Sequence, residues 1–463
     1  MRANQRQIKI GLYATSTGSN SSAWRHPNAV ADLAANMKAE IRMAQMAERA
    51  LMDFVFLADS TTMRGHAWDL LARGSHSYVA QFEPVTLLSA LAAVTEHIGL
   101  VATSNTTYEE PYSLARRFAS LDLLSGGRAG WNLVTSSNLE EATNFNTAEH
   151  PNHAKRYERA LEFAEVCRKL WFTWDENAFP RDKQGGLFFD PGKLRLASHQ
   201  GEHFSVRGPL NVPPSPQRHP VMVQAGASEP GKDMAARLAE VIFTSQDTLE
   251  RAQAFYADVK GQMAQYDRRP EELLIMPGVT IYVASTEAEA NAKKEEVLAL
   301  VDPIVGRSML QHMMEDVLDL SKYGDDDLLP LDMPITKGNR SYQQRYLQMT
   351  REGKTVRDIY QSVASIGYRV IGTPEQVADE LQRWFEGEAA DGFIYMMDYF
   401  PDSLSDFIEY VMPELQKRGL YRDAYAASTL RENLGLALPL PPQGLGAPVS
   451  STREQTDRSR QIN

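Results

Sequence analysis

Polar side chains follow several apolar runs of this sequence, at the point where each run ends. FVFLAD ends in Asp59, IGLVAT ends in Thr103 with Asn105 two residues later, and GWNLVTSSN offers Asn132 and Asn138. Carboxylate, hydroxyl and carboxamide groups hydrogen-bond small molecules, and they gather at one edge of a sheet when the runs are parallel strands. The pattern predicts a ligand site at that edge, although polar residues also end strands that bind nothing.

The turn QAGASEPG has the features of an anion site. It places Gly226, Ser228 and Gly231 between the run PVMVQAG and the helical pattern KDMAARLAEV. A glycine-bearing turn that opens a helix presents backbone N–H groups and the positive helix end to an anion, and the Ser228 hydroxyl adds a donor. The turn is neither a Walker loop nor a GxGxxG fingerprint. A phosphate site and a plain strand-to-helix turn both fit it.

The segment HPNHAKRYERALEF supplies further hydrogen-bond donors. His153 and Tyr157 are four residues apart at a predicted helix start, which puts both on one face. Lys155 and Arg156 beside them can serve the same anion. His150 and His153 are alternatively a metal pair, but neither an HxH nor an HExxH motif accompanies them, so the sequence predicts no metal ligands.

The elements that must position these residues alternate along the chain. Short apolar runs alternate with longer helical patterns, which is typical of βαβ units and a parallel sheet. The eight runs are IKIGLYA (8–14), FVFLAD (54–59), IGLVAT (98–103), AGWNLVTS (129–136), PVMVQAG (220–226), EVIFTS (240–245), LIMPGVTIYVAS (274–285) and DGFIYMMD (391–398). They predict an α/β fold of the TIM (β/α)8 barrel type, with a doubly wound open sheet as the alternative.

Two intervals between the runs are too long for simple crossovers. We therefore expect long insertions at about 137–219 and 286–390, after strands 4 and 7. The part at about 305–340 is predicted to be a mobile lid, because it combines glycines with a polar stretch at the catalytic rim. Its acidic run Asp325–Asp327 is interpreted as a solvated loop rather than a metal site.

The chain ends in a segment of different composition. Residues 1–435 are predicted to form a single domain that includes both insertions. The Pro/Gly-rich tail 436–463 is predicted to be disordered or to wrap a neighbouring subunit.

Bulk properties limit the partners. The 463-residue chain has a formal net charge of -12, which argues against nucleic acid and anionic membranes. Its first residues lack the apolar stretch of a signal peptide, and no apolar segment approaches the ~20 residues that span a bilayer. The single cysteine, Cys167, excludes disulfides within the chain and cysteine-clustered metal sites, and it suits a reducing cytoplasm.

Several long motifs occur in a fixed order. EPYSLARRFASLDLLSGGRAGWNLVTSS, with ATSNTTY before it, resembles the bacterial-luciferase-like flavin monooxygenases. The likeness continues through FVFLADS, NHAKRYERALEF, VMVQAGASEPGKDMAARLAEVIFTS and DGFIYMMDYFPDSLSDFIEYVMPELQKRGLYR, and it covers residues 7–435. It is to the branch that contains the nitrilotriacetate, EDTA, dibenzothiophene sulfone and long-chain alkane monooxygenases.

The resemblance implies a TIM barrel that binds FMN and uses O2. A separate NAD(P)H:flavin oxidoreductase would supply the reduced FMN, and a flavin C4a-(hydro)peroxide would oxygenate a small organic substrate. Carried over position by position, the flavin contacts fall on Asp59, Asn105, His153, Tyr157 and Ser228.

Other strand-end residues extend the predicted site. Thr103, Asn132 and Gly226 are included among the residues expected to contact the cofactor, because they end the same strands. In the ATSNTTY motif, Asn105 stands where Ser is typical of the family, and its carboxamide can still hydrogen-bond there.

The residues expected near the substrate depart further from the family pattern than those expected to contact the flavin. Asn138 matches the position of a histidine that lines the pocket of the long-chain alkane enzyme. His312, in SMLQHMMEDVLDLS, matches a histidine of the family's mobile insertion, and His26 follows strand one. His312, His26 and Asn138 are the predicted catalytic candidates, with an ordinary loop histidine as the alternative for His312 and His26.

Two other functions stay open at this point. A metal-dependent TIM-barrel hydrolase would use His150, His153 and nearby carboxylates, and stoichiometric zinc or manganese would favour it. A non-catalytic flavin-binding protein would bind flavin tightly without oxygenating any substrate. The expected assembly is a homodimer or homotetramer in the cytoplasm.

Overall fold

The computed structural model describes residues 6–14, 17–63, 67–74, 78–136, 138, 140–147, 149–314, 317–335, 340–363 and 368–449. Its strands are β1 (Lys9–Tyr13), β2 (Phe54–Leu57), β3 (Gly99–Asn105), β4 (Ala129–Val134), β5 (His199–Gln200), β6 (Ser205–Val206), β7 (Val221–Ala225), β8 (Val241–Thr244), β9 (Leu274–Val283), β10 (Tyr368–Gly372) and β11 (Gly392–Met396).

Sixteen α-helices lie between and after the strands in the described chain. They are α1 (Met37–Arg49), α2 (Trp68–Leu71), α3 (Pro84–Ala92), α4 (Pro111–Leu124), α5 (Glu141–Asn144), α6 (His153–Trp171), α7 (Glu229–Leu238), α8 (Leu249–Gln262), α9 (Glu287–Ala299), α10 (Pro303–Met313), α11 (Arg340–Arg351), α12 (Val356–Val363), α13 (Pro374–Glu386), α14 (Asp402–Asp406), α15 (Met412–Lys417) and α16 (Leu430–Leu434).

Eight of the strands coincide with the eight predicted runs, namely β1, β2, β3, β4, β7, β8, β9 and β11. Their alternation with helices is that of a TIM (β/α)8 barrel, and the two long excursions follow β4 and β9 as expected. Most of these strand residues are buried, because helices cover one face and the other faces inward. The fold class predicted from the sequence is therefore confirmed.

The chain divides into two compact units, of which the first lies within 1–82, 243–258 and 275–424. In this unit β1 runs parallel between β11 and β2, with Gly11 paired to Ile394 and to Phe54. A Cβ on Gly11 would lie 2.3 Å from the Phe54 ring, so only glycine allows this close packing of neighbouring strands.

The second unit lies within 83–242, 259–274 and 425–463. Its strands β3, β4 and β7 are parallel neighbours in that order. The register pairs Thr103 with Asn132, which sets two polar residues of neighbouring strands side by side, and it pairs Leu133 with Gln224 at the carboxyl end of β7. The buried Trp131 of β4 packs on Phe163 of α6, which fixes that helix against the sheet.

The excursion after β9 contains a hydrophobic core of its own. Helices α10 and α12 pack together, and the core includes Leu310, Tyr346, Ile359 and Tyr360. A Cβ on Gly306 would lie 2.4 Å from the Tyr360 ring, so this glycine allows the two helices to approach closely. The predicted lid at about 305–340 thus belongs to a packed helical insertion, although 315–316 and 336–339 lie outside the described residues.

The acidic run in this insertion is partly buried. Asp325 accepts hydrogen bonds from the Arg307 guanidinium at 2.7 Å and from the Tyr360 hydroxyl at 3.1 Å. Asp326 is exposed, as a solvated loop requires, and Asp327 accepts a hydrogen bond from the Gly324 N–H at 2.7 Å. The acidic run is therefore not wholly in solvent, and its hydrogen bonds connect the loop to α10 and α12.

Sequence reasoning missed β10, which lies in the same excursion. It pairs in parallel with the second half of β9, from Tyr368 opposite Val279 to Gly372 opposite Val283. The run YRVIG is short and half polar, so it carries little of the continuous apolar character that identified the other strands.

Part of the C-terminal tail differs from the prediction. The Gly446 N–H donates to the Leu196 carbonyl at 3.2 Å, and the Val449 N–H donates to the Leu194 carbonyl at 2.8 Å. Residues 436–449 are therefore ordered against the chain's own first excursion, and 450–463 lie outside the described residues. Within the described part of the chain, no helix is both long and apolar enough to cross a bilayer.

Candidate active site

The turn after β7 and the first turn of α7 form a cradle lined by hydroxyl groups. Ser228 caps α7, because its Oγ accepts a hydrogen bond from the Gly231 N–H at 3.3 Å. The Tyr157 hydroxyl, on α6, lies 3.4 Å from the Ser228 Oγ. Both residues were predicted as phosphate contacts, and they meet at the positive end of a helix.

Gly231 keeps this cradle open. A Cβ at that position would lie 3.1 Å from the Ser228 Oγ and 3.2 Å from the Tyr157 hydroxyl, so any side chain would fill the space between them. Gly226 has a similar role earlier in the turn, where a Cβ would lie 2.8 Å from the Gln224 Nε2. An open space lined by hydroxyls at a helix start fits a terminal phosphate.

His153 is the first residue of α6 and lies beside Tyr157, with ring centroids 4.8 Å apart. Asn152 fixes the helix start, because its side-chain oxygen accepts a hydrogen bond from the Lys155 N–H at 3.0 Å. The His153 side chain is exposed, so its imidazole is free of the core and available to a ligand.

The carboxyl ends of β3, β4 and β7 carry buried polar groups. The Asn132 Nδ2 donates to the Thr103 Oγ1 at 2.8 Å. The Asn132 Oδ1 and the Gln224 Oε1 are buried, and neither accepts a hydrogen bond from a described residue. A buried acceptor without a donor costs about 1–3 kcal/mol. Hydroxyl or ring N–H groups of a bound flavin would relieve that cost, so these two acceptors fit the predicted cofactor.

Gln224 was not among the predicted site residues. It is 1% exposed and is the only polar residue of β7, which is Val221–Ala225. The sequence feature that could have indicated this site residue is a glutamine inside the apolar run PVMVQAG. The glycines and the serine of the turn that follows form a stronger local pattern than this single residue.

Asn105 ends β3 and closes the turn after it. Its Oδ1 accepts hydrogen bonds from the Thr107 N–H at 3.1 Å and from the Tyr108 N–H at 2.9 Å. Because the backbone engages the side-chain oxygen, the amide nitrogen is the group left for the predicted flavin contact.

Asp59, in the first unit, follows β2 as predicted. Its Oδ1 accepts a hydrogen bond from the Gln81 Nε2 at 2.7 Å, which orients the carboxylate. The side chain is half-buried, so the position suits a ligand contact at the end of a strand.

Asp398 was missed and lies at the end of another strand of the first unit. It follows β11 and is 2% exposed, and burial raises the pKa of its carboxyl. The Ser19 Oγ donates to its Oδ1 at 3.4 Å. Gly18 has a φ of 137°, and a Cβ there would lie 1.8 Å from the Asp398 carbonyl oxygen, so this approach requires glycine.

His26 is engaged on three sides within the first unit. Its Nε2 lies 3.2 Å from a Glu296 carboxylate oxygen, and its Nδ1 accepts a hydrogen bond from the Asn28 N–H at 3.2 Å. Its ring stacks on Tyr399 at 4.1 Å, and the residue is 7% exposed. This packing favours a structural role, and a catalytic role for His26 stays a prediction.

His312 lies on α10 with an exposed side chain. Leu310 and Met314, on either side of it in the sequence, are buried in the core of the insertion. The histidine therefore faces away from that core, as a side chain that acts on a ligand must. Its catalytic role stays a prediction.

Asn138 and the proposed metal pair lie between β4 and α6. The Asn138 Oδ1 accepts a hydrogen bond from the Glu140 N–H at 3.1 Å, and the His150 Nδ1 lies 2.6 Å from the Tyr108 hydroxyl. Among the described residues, no group of three or more histidine, cysteine, aspartate or glutamate side chains is placed to hold a metal ion.

Comparison with known proteins assigns the family. The profile of the luciferase-like monooxygenases matches residues 14–391. Nitrilotriacetate monooxygenase component A from Aminobacter aminovorans is 48% identical over 447 residues, which cover 95% of this chain and 98% of the relative.

Solved structures of members of this family are also similar to this chain. The crystal structure of DmoA from Hyphomicrobium sulfonivorans matches with a TM-score of 0.84 and 34% identity, over 92% of each chain. The crystal structure of riboflavin lyase with modified FMN and its substrate riboflavin matches with a TM-score of 0.80 and 34% identity, over 93% of this chain and 96% of that one. The resemblance seen in the sequence is confirmed, and the chain belongs to the luciferase-like monooxygenase family.

Proposed function

We propose that this protein is the oxygenating component of a two-component, FMNH2-dependent monooxygenase that acts on a small organic substrate. The observation that carries the proposal is the cradle of Ser228, Tyr157 and Gly231 at the start of α7, where two hydroxyl groups and a helix N-terminus provide donors for a terminal monophosphate. FMN ends in such a group, whereas FAD continues beyond it. Reduced FMN, when bound, supplies the electrons that activate O2.

The residues of this chain bind the cofactor and keep water out. Ser228 and Tyr157 donate to the phosphate, with His153 beside them. Asn132 and Gln224 accept hydrogen bonds from hydroxyl or ring N–H groups, and Thr103 orients the Asn132 carboxamide. Asn105 and Asp59 contact the ring and ribityl chain, and Gly226 lets the backbone approach. A dry pocket favours oxygenation over loss of oxygen as peroxide.

A separate NAD(P)H:flavin oxidoreductase supplies the reduced FMN. The sequence has no GxGxxG fingerprint for a nicotinamide dinucleotide. The relative from Aminobacter aminovorans is named as component A, which supports a system of more than one protein. We also infer a homodimer or homotetramer in the cytoplasm, where the buried thiol of Cys167 stays reduced.

A reconstituted assay tests this function. The protein, FMN, NADH and a flavin reductase are incubated with a panel of small amines, thioethers and alkanes, and products are identified by mass spectrometry. We expect one class to gain an oxygen atom from 18O2 in a reaction that requires both proteins. Gly231→Ala, which places a methyl group in the phosphate cradle, should lower that product at limiting FMN while the reductase still consumes NADH. Product formation without FMN would contradict the proposal.

A further inference from the structure

A cluster of polar side chains lies next to the predicted flavin contacts of the second unit. It consists of Tyr108, Ser136, Asn138, His150 and Arg156, and we call it the His150 cluster. The Tyr108 hydroxyl lies 2.6 Å from the His150 Nδ1. The Tyr108 N–H donates to Asn105, and Arg156 lies on the first turn of α6. The cluster thus adjoins two segments that the proposed function assigns to the flavin.

Tyr108 is held firmly within this cluster. Its ring stacks on Phe145 with centroids 4.9 Å apart and planes 9° apart, while its hydroxyl bonds His150. Burial, followed by the Glu141 charge, raises the pKa of Tyr108, so its hydroxyl stays protonated. A protonated phenol is a natural donor to the His150 Nδ1, which leaves the proton of a neutral imidazole on Nε2.

Charges nearby keep His150 neutral. Burial lowers the pKa of His150, and the positive charge of Arg156 lowers it further. The Glu141 carboxylate and the Ser136 backbone act in the opposite direction but more weakly. At neutral pH the imidazole is therefore uncharged, and its Nε2 presents a hydrogen-bond donor.

The donors of this cluster exceed its acceptors. The Ser136 Oγ, Asn138 Nδ2, His150 Nε2 and Arg156 Nε are buried, and no described residue bonds any of them. The Asn138 Oδ1 is already engaged by the Glu140 N–H, and one Arg156 Nη is engaged by the Pro151 carbonyl at 3.1 Å. Ser136 is 8% exposed and Arg156 is 9% exposed, so water replaces few of the missing bonds.

These four buried donor atoms favour a ligand that has several hydrogen-bond acceptors. Three of the four atoms are nitrogen donors, one of them belongs to a guanidinium, and the serine hydroxyl can donate as well. A carboxylate offers about four acceptor sites and a negative charge that Arg156 complements. The Glu141 carboxylate is an acidic group close to the donors, and its Oε2 is also buried without a described hydrogen-bond donor. This single acceptor leaves the four donor atoms in excess.

We propose that the His150 cluster binds a carboxylate of the substrate, with Arg156, His150, Asn138 and Ser136 as donors and Tyr108 as the positioning residue for His150. This inference rests on the proposed function and narrows it to substrates that carry a carboxylate. The carbonyl oxygens of the flavin ring offer a similar acceptor chemistry, so the test must separate the two sources.

Calorimetric titration of the full-length protein with malonate, and with the uncharged malonamide as the matched probe, makes this separation. Titrations are run at constant ionic strength on flavin-free and FMN-saturated protein, and FMN affinity is measured separately by fluorescence quenching. We expect malonate to bind and malonamide to bind at least ~10-fold more weakly, since the guanidinium bonds a charged group.

Two variants locate the binding. Arg156→Met should weaken malonate binding by about 10-fold or more, and Ser136→Ala, which removes a single hydroxyl, by about threefold or more. FMN affinity should stay within about twofold in both, because Arg156, which the sequence suggested as a donor to the phosphate, serves the carboxylate instead. Arg116→Met, an exposed arginine on the outer face of α4, removes the same charge and should leave both ligands unaffected.

The outcomes are distinct. Equal malonate affinity in the wild type, Arg156→Met and Ser136→Ala would overturn the proposal, as would the absence of malonate binding to the wild type. An equal loss of FMN and malonate affinity in both variants would also overturn it, because the cluster would then belong to the flavin. A wild type that binds malonate but not FMN would instead contradict the proposed function and leave the carboxylate site standing.

Discussion

The hydroxyl oxygens of Tyr157 and Ser228 lie 3.4 Å apart, although 71 residues separate them in the sequence. One residue belongs to the first excursion from the barrel and the other to the cap of α7. Gly231 lies beside both hydroxyls, and a Cβ there would be 3.1 Å from the Ser228 Oγ and 3.2 Å from the Tyr157 hydroxyl. We propose that an anion bound by both hydroxyls accounts for this relationship.

Removal of one of these hydroxyls should weaken FMN binding. Tyr157→Phe keeps the ring beside His153 but loses a hydrogen bond to a charged phosphate, which is worth about 0.5–3 kcal/mol. Anaerobic titration with reduced FMN measures the change. Tyr410→Phe, in the first unit, serves as the control and should bind FMN like the wild type. Equal affinities of Tyr157→Phe and the wild type would remove Tyr157 from the phosphate site.

A side chain at Gly231 should separate binding from stability. Gly231→Ala places a methyl group between Ser228 and Tyr157 and should reduce FMN affinity by about 10-fold or more. The backbone at Gly231 is helical, which favours alanine, whereas the close contacts of the added Cβ act against it, so the free energy of unfolding should change by no more than ~1 kcal/mol.

The matched control is Gly261→Ala, at a helical glycine where an added Cβ meets no atom within 4 Å. Gly261→Ala should raise the free energy of unfolding by up to ~1 kcal/mol and leave the FMN affinity unchanged. If both alanine variants bound FMN equally well, the cradle would not be the phosphate site.

His312 is predicted to act in oxygenation rather than in flavin retention. Truncation in His312→Ala should leave the FMN dissociation constant within about twofold and lower productive turnover by roughly 100-fold, because a positioned histidine contributes that much to proton transfer. Hydrogen peroxide should replace the product. Product and peroxide are measured in the same reaction. An unchanged ratio of the two would show that the exposed His312 has no role in oxygenation.

Glu40 should make the stability of the protein depend on pH. Burial in α1 raises the pKa of its carboxyl from 4.5 to about 8, and its Oε2 has no described hydrogen-bond donor. The folded state therefore binds the proton more tightly than the unfolded state. This contribution is fully present below pH 4.5 and is lost as the pH rises through 8.

Glu40→Gln cannot ionise, so its advantage over the wild type should grow between pH 5 and pH 8 by on the order of 3 kcal/mol. Urea unfolding at a series of pH values gives this difference, with the exposed Glu250→Gln as the matched control. Parallel curves for Glu40→Gln and the wild type would contradict the assignment.

Patterns local in sequence predicted much of the fold and part of the site. Eight strands were predicted because each is a continuous apolar run, and β10 was missed because YRVIG is short and half polar. Ser228 and Gly231 were visible because a cap and a glycine at a helix start form a local pattern. Gln224 and the meeting of Tyr157 with Ser228 depend on strand register and helix packing, which no single segment encodes.

Two of the predicted catalytic histidines also differ in a way that the sequence could not show. His312 was predicted because it matches a histidine of the family's mobile insertion, and His26 because it follows strand one, and an ordinary loop histidine was the alternative for both. Packing separates them, because Glu296 and Tyr399 hold His26 while His312 is exposed. The His150 cluster was invisible as a donor set because its members come from three short segments around β4 and α6.

The account rests on reduced FMN bound through the cradle at α7, and anaerobic titration of the wild-type protein with reduced and oxidised FMN tests it most directly. We predict saturable binding at one site per chain, with reduced FMN bound about 10-fold or more tightly than oxidised FMN, since a partner must deliver it. Equal affinity for the two redox states, or no saturable binding of reduced FMN, would contradict the account.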